Sequence, residues 1–598
     1  MCGIAGLIAK TDSTERFAAV LPRLEAAIAH RGPDDRGTHV SRDGRAGLVH
    51  VRLSILDLSA AGHQPMFAVD DRYAIVFNGE IFNFRALAAS LVEKGFPLRS
   101  HSDTEVILLL YHLLGADCVR ELRGMFAFAI WDDLEKTCFI ARDPLGIKPL
   151  YYHHDAAGTL SFASELRALR ATGLAGGELD ADAVAAFFQQ GSVPEPQTLL
   201  RDVRCLEAGH WLRWRDGTIE SQSYWTVPIG LASDAGNARN LTSDEDTAAV
   251  RAALLDSVQH HFVSDVPVGL FLSGGIDSTA LLALSRALGH DRLNTYSISF
   301  DEADFNEGDL ARRTAEHFGS VHLDSRLTGT DARGLFDRFL HRLDQPSVDG
   351  FNTFAVSQVA HAHGAKVVLS GLGGDELFGS YPSFRRAPSM IRLARALGPL
   401  RSIAGATLRN LAGSSRAGRF GDFLSEEPTV DAAMSAGRGI FSRRDAVALA
   451  RHFAPGSVPN AAARAADLAD VRDTVSAHEL SHYMRNQLLR DSDVASMAWG
   501  LELRVPLVDR ALIEVLARIP AARRLRANKA MLVEAVPEIP SWVTNAPKRG
   551  FSFPFEKWFR EDWQGLFADT TKPMAGVRPV SWSQRWSLFV FRSWLGQS

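Results

Sequence analysis

The stretch VPVGLFLSGGIDSTALLALSRALG, residues 266–289, narrows the fold more than any other part of the chain. An apolar run too short for a helix ends in two glycines and passes directly into helical spacing. That predicts a buried strand followed by a crossover helix. The pattern recurs where NTYSISF leads into LARRTAEHFG and again at AKVVLSGLGGDE, so the second half reads as an α/β unit on a parallel sheet. Residues from about 385 to 535 are rich in alanine, leucine and arginine and are expected to be helical.

Residues 2–215 have a different character. Short β-type runs punctuated by glycine (RYAIVFNGE, GMFAFAIWDD, KTCFIARDPLG) are interrupted by helical spacing at Arg16–Ala29 and Asp103–Leu114, an α+β pattern. The polar stretch 216–246 reads as a linker, leaving 247–598 as the second unit. A chain of 598 residues exceeds one core, and its 46% hydrophobic and 23% charged content is that of an ordinary globular protein. With a net charge of −5, no lysine-rich run and no interleaved aromatics, no nucleic-acid partner is expected. No apolar run reaches the roughly 18 residues of a membrane span, and no basic-then-apolar leader opens the chain. No membrane partner and a cytoplasmic location are therefore expected. Cys2, Cys118, Cys138 and Cys205 are too few and too scattered for a disulfide scaffold, and the last three read as packed small hydrophobes. His260, His261, His361 and His363 lack companions at metal-ligand spacing.

Cys2 carries the chemistry of the first half. Loss of Met1 would give it a free α-amine beside its thiol. An amine with a pKa of about 7.7–8.0 can take the thiol proton near neutral pH, so this nucleophile needs no histidine. Attack on an amide carbonyl also needs oxyanion donors, and Asn78-Gly79-Glu80 offers a side-chain amide and a glycine N–H. Arg52 suits an α-carboxylate, while Asp103 and Glu80 suit an α-ammonium. The segments MCGI, RGPD, RLSILDLSAAGHQP, FNGEIFN, SDTEV and ARDPLGIKPLYY, in this order, resemble the N-terminal-nucleophile glutaminase domain of class II glutamine amidotransferases. The resemblance implies an αββα sandwich over residues 2–215 and a glutamyl thioester on Cys2. It also implies an oxyanion hole of Asn78 and Gly79, and a glutamine pocket of Arg52, Leu53, Ser54, Ile55, Asn78, Gly79, Glu80 and Asp103.

In the second half, Ser273, Gly274 and Gly275 close the first strand while Ser278 and Thr279 open a helix. Backbone N–H groups at such a turn suit a phosphate, and Asp277 is available to a Mg²⁺ ion. The GxxxxGK[ST] pattern is absent. SGGxDS after a strand instead resembles the pyrophosphate-binding loop of ATP pyrophosphatases, whose sheet is HUP-like. ATP would be held by Phe271, Ser273, Gly274, Gly275, Asp277, Ser278, Ile298, Ser370, Gly371 and Asp375, with Asp277 and Asp375 on the metal. These positions follow C-terminal strand ends, where open parallel sheets bind ligands. SMAWGLELRVPLVD and APKRGFSFPFEKWF extend the likeness, and Lys548 aligns with a family lysine that stabilises charge during adenylation and amide formation. The two halves together resemble the glutamine-hydrolysing asparagine synthetase family over nearly the whole chain.

That resemblance implies glutamine, ATP and Mg²⁺ as small-molecule partners, and an acceptor carboxylate, aspartate by family default. A homodimer is left open. Two sites in one chain suggest an apolar internal passage for ammonia. Two features depart from the family pattern. Leu372 stands where aspartate-specific members carry a glutamate, and DQPSVDGFNTF (344–354), expected beside the acceptor, has no cation between Arg342 and Lys366. Amidation of a different carboxylate in a specialised pathway is therefore the alternative. The SGGIDS loop argues against a nucleotide-sugar or phosphoribosyl amidotransferase. Retention of Cys2, Asn78, Asp277, Asp375 and Lys548 argues against a non-catalytic scaffold.

Overall fold

The computed structural model describes residues 2–230, 242–302, 305–412, 415–456, 468–547, 553–561, 563 and 565–596. Lys548 lies outside the described residues.

The first unit is a pair of six-stranded antiparallel sheets. One runs, in spatial order, Val203–Cys205, Tyr151–His154, Leu160–Ala163, Gly3–Ile8, Ala46–Arg52 and Asp35–Val40. The other runs Thr218–Ser223, His210–Arg215, Thr137–Arg142, Gly124–Asp132, Tyr73–Ile81 and Met66–Ala68. Period-2 alternation sorts their side chains into layers. Ile4, Ile8, Ala46, Leu48, Ala74 and Val76 pack in the gap between the sheets. Ala5, Leu7, Val49 and Val51 face the helices Thr14–Ile28 and Ala181–Gln190 on one outside, and Ile75 and Phe77 face Asp103–Leu114 on the other. The result is the expected αββα sandwich. Cys118 and Cys138 are buried within it as free thiols.

Strand Thr218–Ser223 pairs with His210–Arg215, so the sandwich continues past residue 215 into the stretch read as linker, and the helix Ser243–His261 begins before residue 247. The second unit holds a five-stranded sheet in the order Val321–Leu327, Asn294–Phe300, Val268–Phe271, Val367–Leu369, Glu502–Arg504, with every neighbouring pair parallel. Helix Ile276–Ala287 follows the central strand, as its sequence predicted. Helices dominate from Ser383 to Met497, including an eleven-residue π-helical run, Glu479–Leu489. Runs of that kind concentrate near functional sites. Of the C-terminal tryptophans, Trp558, Trp563, Trp586 and Trp594 are buried and Trp582 is exposed.

Candidate active site

Strand parity builds the first site. Even-numbered residues of Gly3–Ile8, Ala46–Arg52 and Tyr73–Ile81 enter the gap between the sheets, so Cys2, His50, Asn78 and Glu80 continue the same face beyond the apolar layer. Cys2 N donates to Asn78 Oδ1 at 3.0 Å, and both residues are buried. Asn78 Nδ2 has no hydrogen-bond partner among the described residues. Leaving a buried donor unpaired costs about 1–3 kcal/mol, a cost that a ligand oxygen at this point would remove. Gly79 has φ +156, and a Cβ there would stand 2.1 Å from Met125 O, so the close approach of the next strand requires glycine.

Burial pushes the Cys2 thiol up, while a hydrogen bond from the Leu53 backbone and the Arg52 charge pull it down. Asp103 accepts from Ile81 N at 2.9 Å, and burial raises its carboxyl to about 6. Glu80 is raised well above the usual carboxylate range by burial and by the neighbouring Glu502. Arg52, expected on a substrate α-carboxylate, also braces a loop. Its guanidinium donates to Leu56 O at 3.1 Å, Asp57 O at 2.6 Å and Ser59 O at 3.3 Å, bracing the loop that carries Leu53, Ser54 and Ile55. Leu53 and Ile55 pack on Val367 of the second unit, and Ser54 N donates to Asp34 Oδ2 at 2.7 Å.

The second site forms where loops leave the parallel sheet. Gly275 caps helix Ile276–Ala287, Ser273 N donates to Ser278 Oγ at 3.3 Å, and Phe271 ends the strand. Gly371 and Gly374 press on Asp277: a Cβ on Gly374 would stand 2.1 Å from Asp277 Oδ1. Asp375 follows in the helix Gly374–Phe378. Ile298 is buried in mid-strand, two residues before the strand ends at Phe300.

Lys529, which the sequence reading missed, joins these carboxylates. Its Nζ lies 2.6 Å from Asp375 Oδ1 and also pairs with Asp277 Oδ2. Asn528 and Lys529 have φ of +57 and +54, a left-handed backbone that costs non-glycine residues about 1–3 kcal/mol each. In RANKAML only Asn528 hints at that conformation, asparagine being enriched there, and nothing marks Lys529. An ammonium bridging two carboxylates marks a place where positive charge is stable, and hard oxygen donors are what Mg²⁺ takes. The residues present therefore fit a magnesium–nucleotide site.

Buried ion pairs link the two sites. Arg31 Nε donates to Cys2 O at 3.1 Å, Nη1 to Glu165 at 2.8 Å, and Nη2 to Asp493 of the second unit at 2.7 Å. Lys148 Nζ lies 3.6 Å from Asp493. Arg504 stands 3.7 Å from Glu80 and donates to Glu502 at 2.5 Å, while its carbonyl accepts from Ser370 N at 2.8 Å. Apolar contacts accompany these charged ones: Phe82, Met125, Leu145 and Ile147 of the first unit share a buried cluster with Leu270, Val505 and Leu507 of the second. The stretch 344–348, expected beside the acceptor, also meets the first unit. Asp344 accepts from Leu166 N and Arg167 N at 2.9 and 2.8 Å, Gln345 accepts from Leu199 N at 3.1 Å, and Val348 N donates to Gly191 O at 3.1 Å, so this stretch clamps the two units together. The Arg167 side chain, 3.8 Å from the same carboxylate, adds its charge to the clamp.

Residues 1–225 match the glutamine amidotransferase domain family and residues 249–579 the asparagine synthase family. A putative glutamine-hydrolysing asparagine synthetase of Mycobacterium tuberculosis is 35% identical, covering 94% of this chain and 88% of that one. Asparagine synthetase 1 of Bacillus subtilis is 32% identical with the same coverage. Amidase chry2 of Gibberella zeae is 30% identical, covering 93% of this chain and 90% of its own. The chain belongs to the asparagine synthase family. Within that family it is a ligase of the glutamine-hydrolysing kind, and the two constellations above occupy one family domain each. Among the described residues no helix is long and apolar enough to cross a membrane.

Proposed function

We propose that the chain transfers the amide nitrogen of glutamine to an acceptor carboxylate activated with ATP, aspartate being the family default. The observation that carries this reading is the pairing of Cys2 and the unpartnered Asn78 amide in one unit with the Asp277–Lys529–Asp375 constellation in the other. In this reading the α-amine of mature Cys2 accepts the thiol proton and the sulfur attacks the glutamine amide carbon. Asn78 Nδ2 and the Gly79 N–H hold the oxyanion until ammonia leaves, and water then releases glutamate from the thioester. Glu80 and Asp103 hold the substrate ammonium, and Arg52 pairs with the substrate α-carboxylate while bracing the loop beside it.

At the second site the acceptor carboxylate attacks the α-phosphorus of ATP and pyrophosphate leaves. Ammonia then displaces AMP from the acyl-adenylate. The loops at Ser273–Ser278 and Ser370–Gly371 cradle the phosphates, and Phe271 and Ile298 adjoin the nucleotide. Asp277 and Asp375 would hold Mg²⁺, which neutralises phosphate charge when bound. Lys529 supplies positive charge fixed by the protein, and Lys548 is kept in the role its motif suggests.

Leu372 lacks any group able to take a proton from ammonia, and a relative at 30% identity is named an amidase. Both support the second reading, an acceptor other than aspartate. Pyrophosphate release with ATP, Mg²⁺ and glutamine, followed first with aspartate and then with a panel of other carboxylates, decides between them. Aspartate-dependent release identifies the default acceptor, and release with another carboxylate alone identifies the alternative. No release with any acceptor would refute the amidotransfer reading.

A further inference from the structure

The helical part that follows the second ATP loop carries a face the reaction does not use. Between Leu377 and Gly421 the chain has eight arginines and no aspartate, glutamate or lysine, within a protein of net charge −5. Two helices span most of it, Ser383–Leu397 and Leu400–Ala412, separated by Gly398-Pro399. The second helix turns one side inward. Gly405 lies so close to helix Arg416–Ser425 that a Cβ would stand 2.7 Å from Gly421 O, and Arg401 donates to the carbonyls of Leu424 and Glu426.

The other side presents Leu400, Ile403, Thr407 and Leu411, a single stripe at helical spacing. Leu400 is 64% exposed, Ile403 68% and Leu411 82%, the last two being the most exposed large apolar side chains among the described residues. The preceding helix adds Leu393, 49% exposed, between exposed Arg392 and Arg395. A solvated helix buries its apolar stripe and shows its charges; this one shows both.

A second copy of the chain would set this basic face against itself in a symmetric contact, like charge on like. An anionic phospholipid surface matches both properties, since acyl chains receive leucine and isoleucine while phosphates pair with arginine. We propose that the Ser383–Ala412 helices dock in the plane of an anionic bilayer, with the 400–411 stripe inserted and the arginines on headgroup phosphates. A helix of 13 residues offers about 20 Å of such contact. Peripheral docking needs no spanning segment, so it amends the expectation of no membrane partner without conflicting with the absence of a spanning helix.

The test is vesicle flotation of the full-length protein at low and high salt, on mixed phosphatidylglycerol–phosphatidylcholine vesicles and on phosphatidylcholine alone. The expected result is salt-sensitive binding to the mixed vesicles only. It should fall at least about tenfold both in Leu400→Ser/Ile403→Ser/Leu411→Ser and in Arg385→Gln/Arg392→Gln/Arg395→Gln, with glutamine hydrolysis unchanged in each. The proposal is overturned by no binding to the mixed vesicles, by equal binding to both kinds, or by variants that bind as the parent does. A concentration-dependent dimer that the leucine variant abolishes would also overturn it, assigning the face to a second copy.

Discussion

The two catalytic units bring polar groups to a point in opposite ways. In the sandwich, Cys2, Asn78 and Glu80 are neighbours because the pleat sends even-numbered residues of adjacent strands into one gap. In the parallel-sheet unit, Asp277 and Asp375 come from the first turns of helices that follow separate strands, and Lys529 reaches them from a strained turn much farther along the chain. The first site takes its central residues from strand pairing and Asp103 from the helix packed on that sheet. The second is complete only when the C-terminal helical part has docked. Damage to one should therefore leave the other working.

The largest effect expected is from Cys2→Ala. Glutamine-dependent pyrophosphate release should fall by at least about 10⁴-fold while ammonium-dependent release stays within about twofold. Equal loss of both would break the comparison outright. Asn78→Ala removes one oxyanion donor and should lower kcat for glutamine hydrolysis by about 10²–10³, measured as glutamate release, with the second site again untouched. Lys529→Met tests the other side. It leaves Asp277 and Asp375 facing each other without their shared cation, and acceptor-dependent pyrophosphate release should drop about a hundredfold with glutamine hydrolysis unchanged. Parallel loss of glutamine hydrolysis would mean the lysine holds the fold and not the site.

The smallest effect is a pH response that separates binding from stability. Burial raises Asp103 to about 6. If its carboxylate holds the glutamine ammonium, KM for glutamine should rise roughly fivefold between about pH 6 and pH 5 as the carboxylate fraction falls. A carboxyl whose folded pKa is raised stabilises the fold below its unfolded pKa and loses that contribution as pH rises through about 6. Melting temperature should thus move up over the same acid range in which KM worsens. A melting temperature that fell alongside would assign the pH response to another group.

What could be read in advance follows the same division. The meeting of Cys2 with Asn78 was legible because each lies in a motif of a few adjacent letters, MCGI and FNGEIFN. Asp277 and Asp375 were legible because glycines mark strand ends. Lys529 was not, since its position depends on two left-handed residues that ordinary side chains rarely adopt. Arg31 lies in the RGPD motif, yet its bond to Asp493 spans 462 positions and leaves no local trace. The clamp made by 344–348 left no local trace either, because its carboxylate accepts from two backbone N–H groups of the other unit. Net charge, taken over the whole chain, concealed the arginine-only segment between Leu377 and Gly421.

The bridge made by Arg31, Glu165 and Asp493, together with the Arg504–Glu80 pair, bears on what happens if the polypeptide is severed. A protease cutting between Trp225 and Thr242 would break one covalent bond and none of these buried contacts. The nicked halves should still elute together from a sizing column and part only in denaturant.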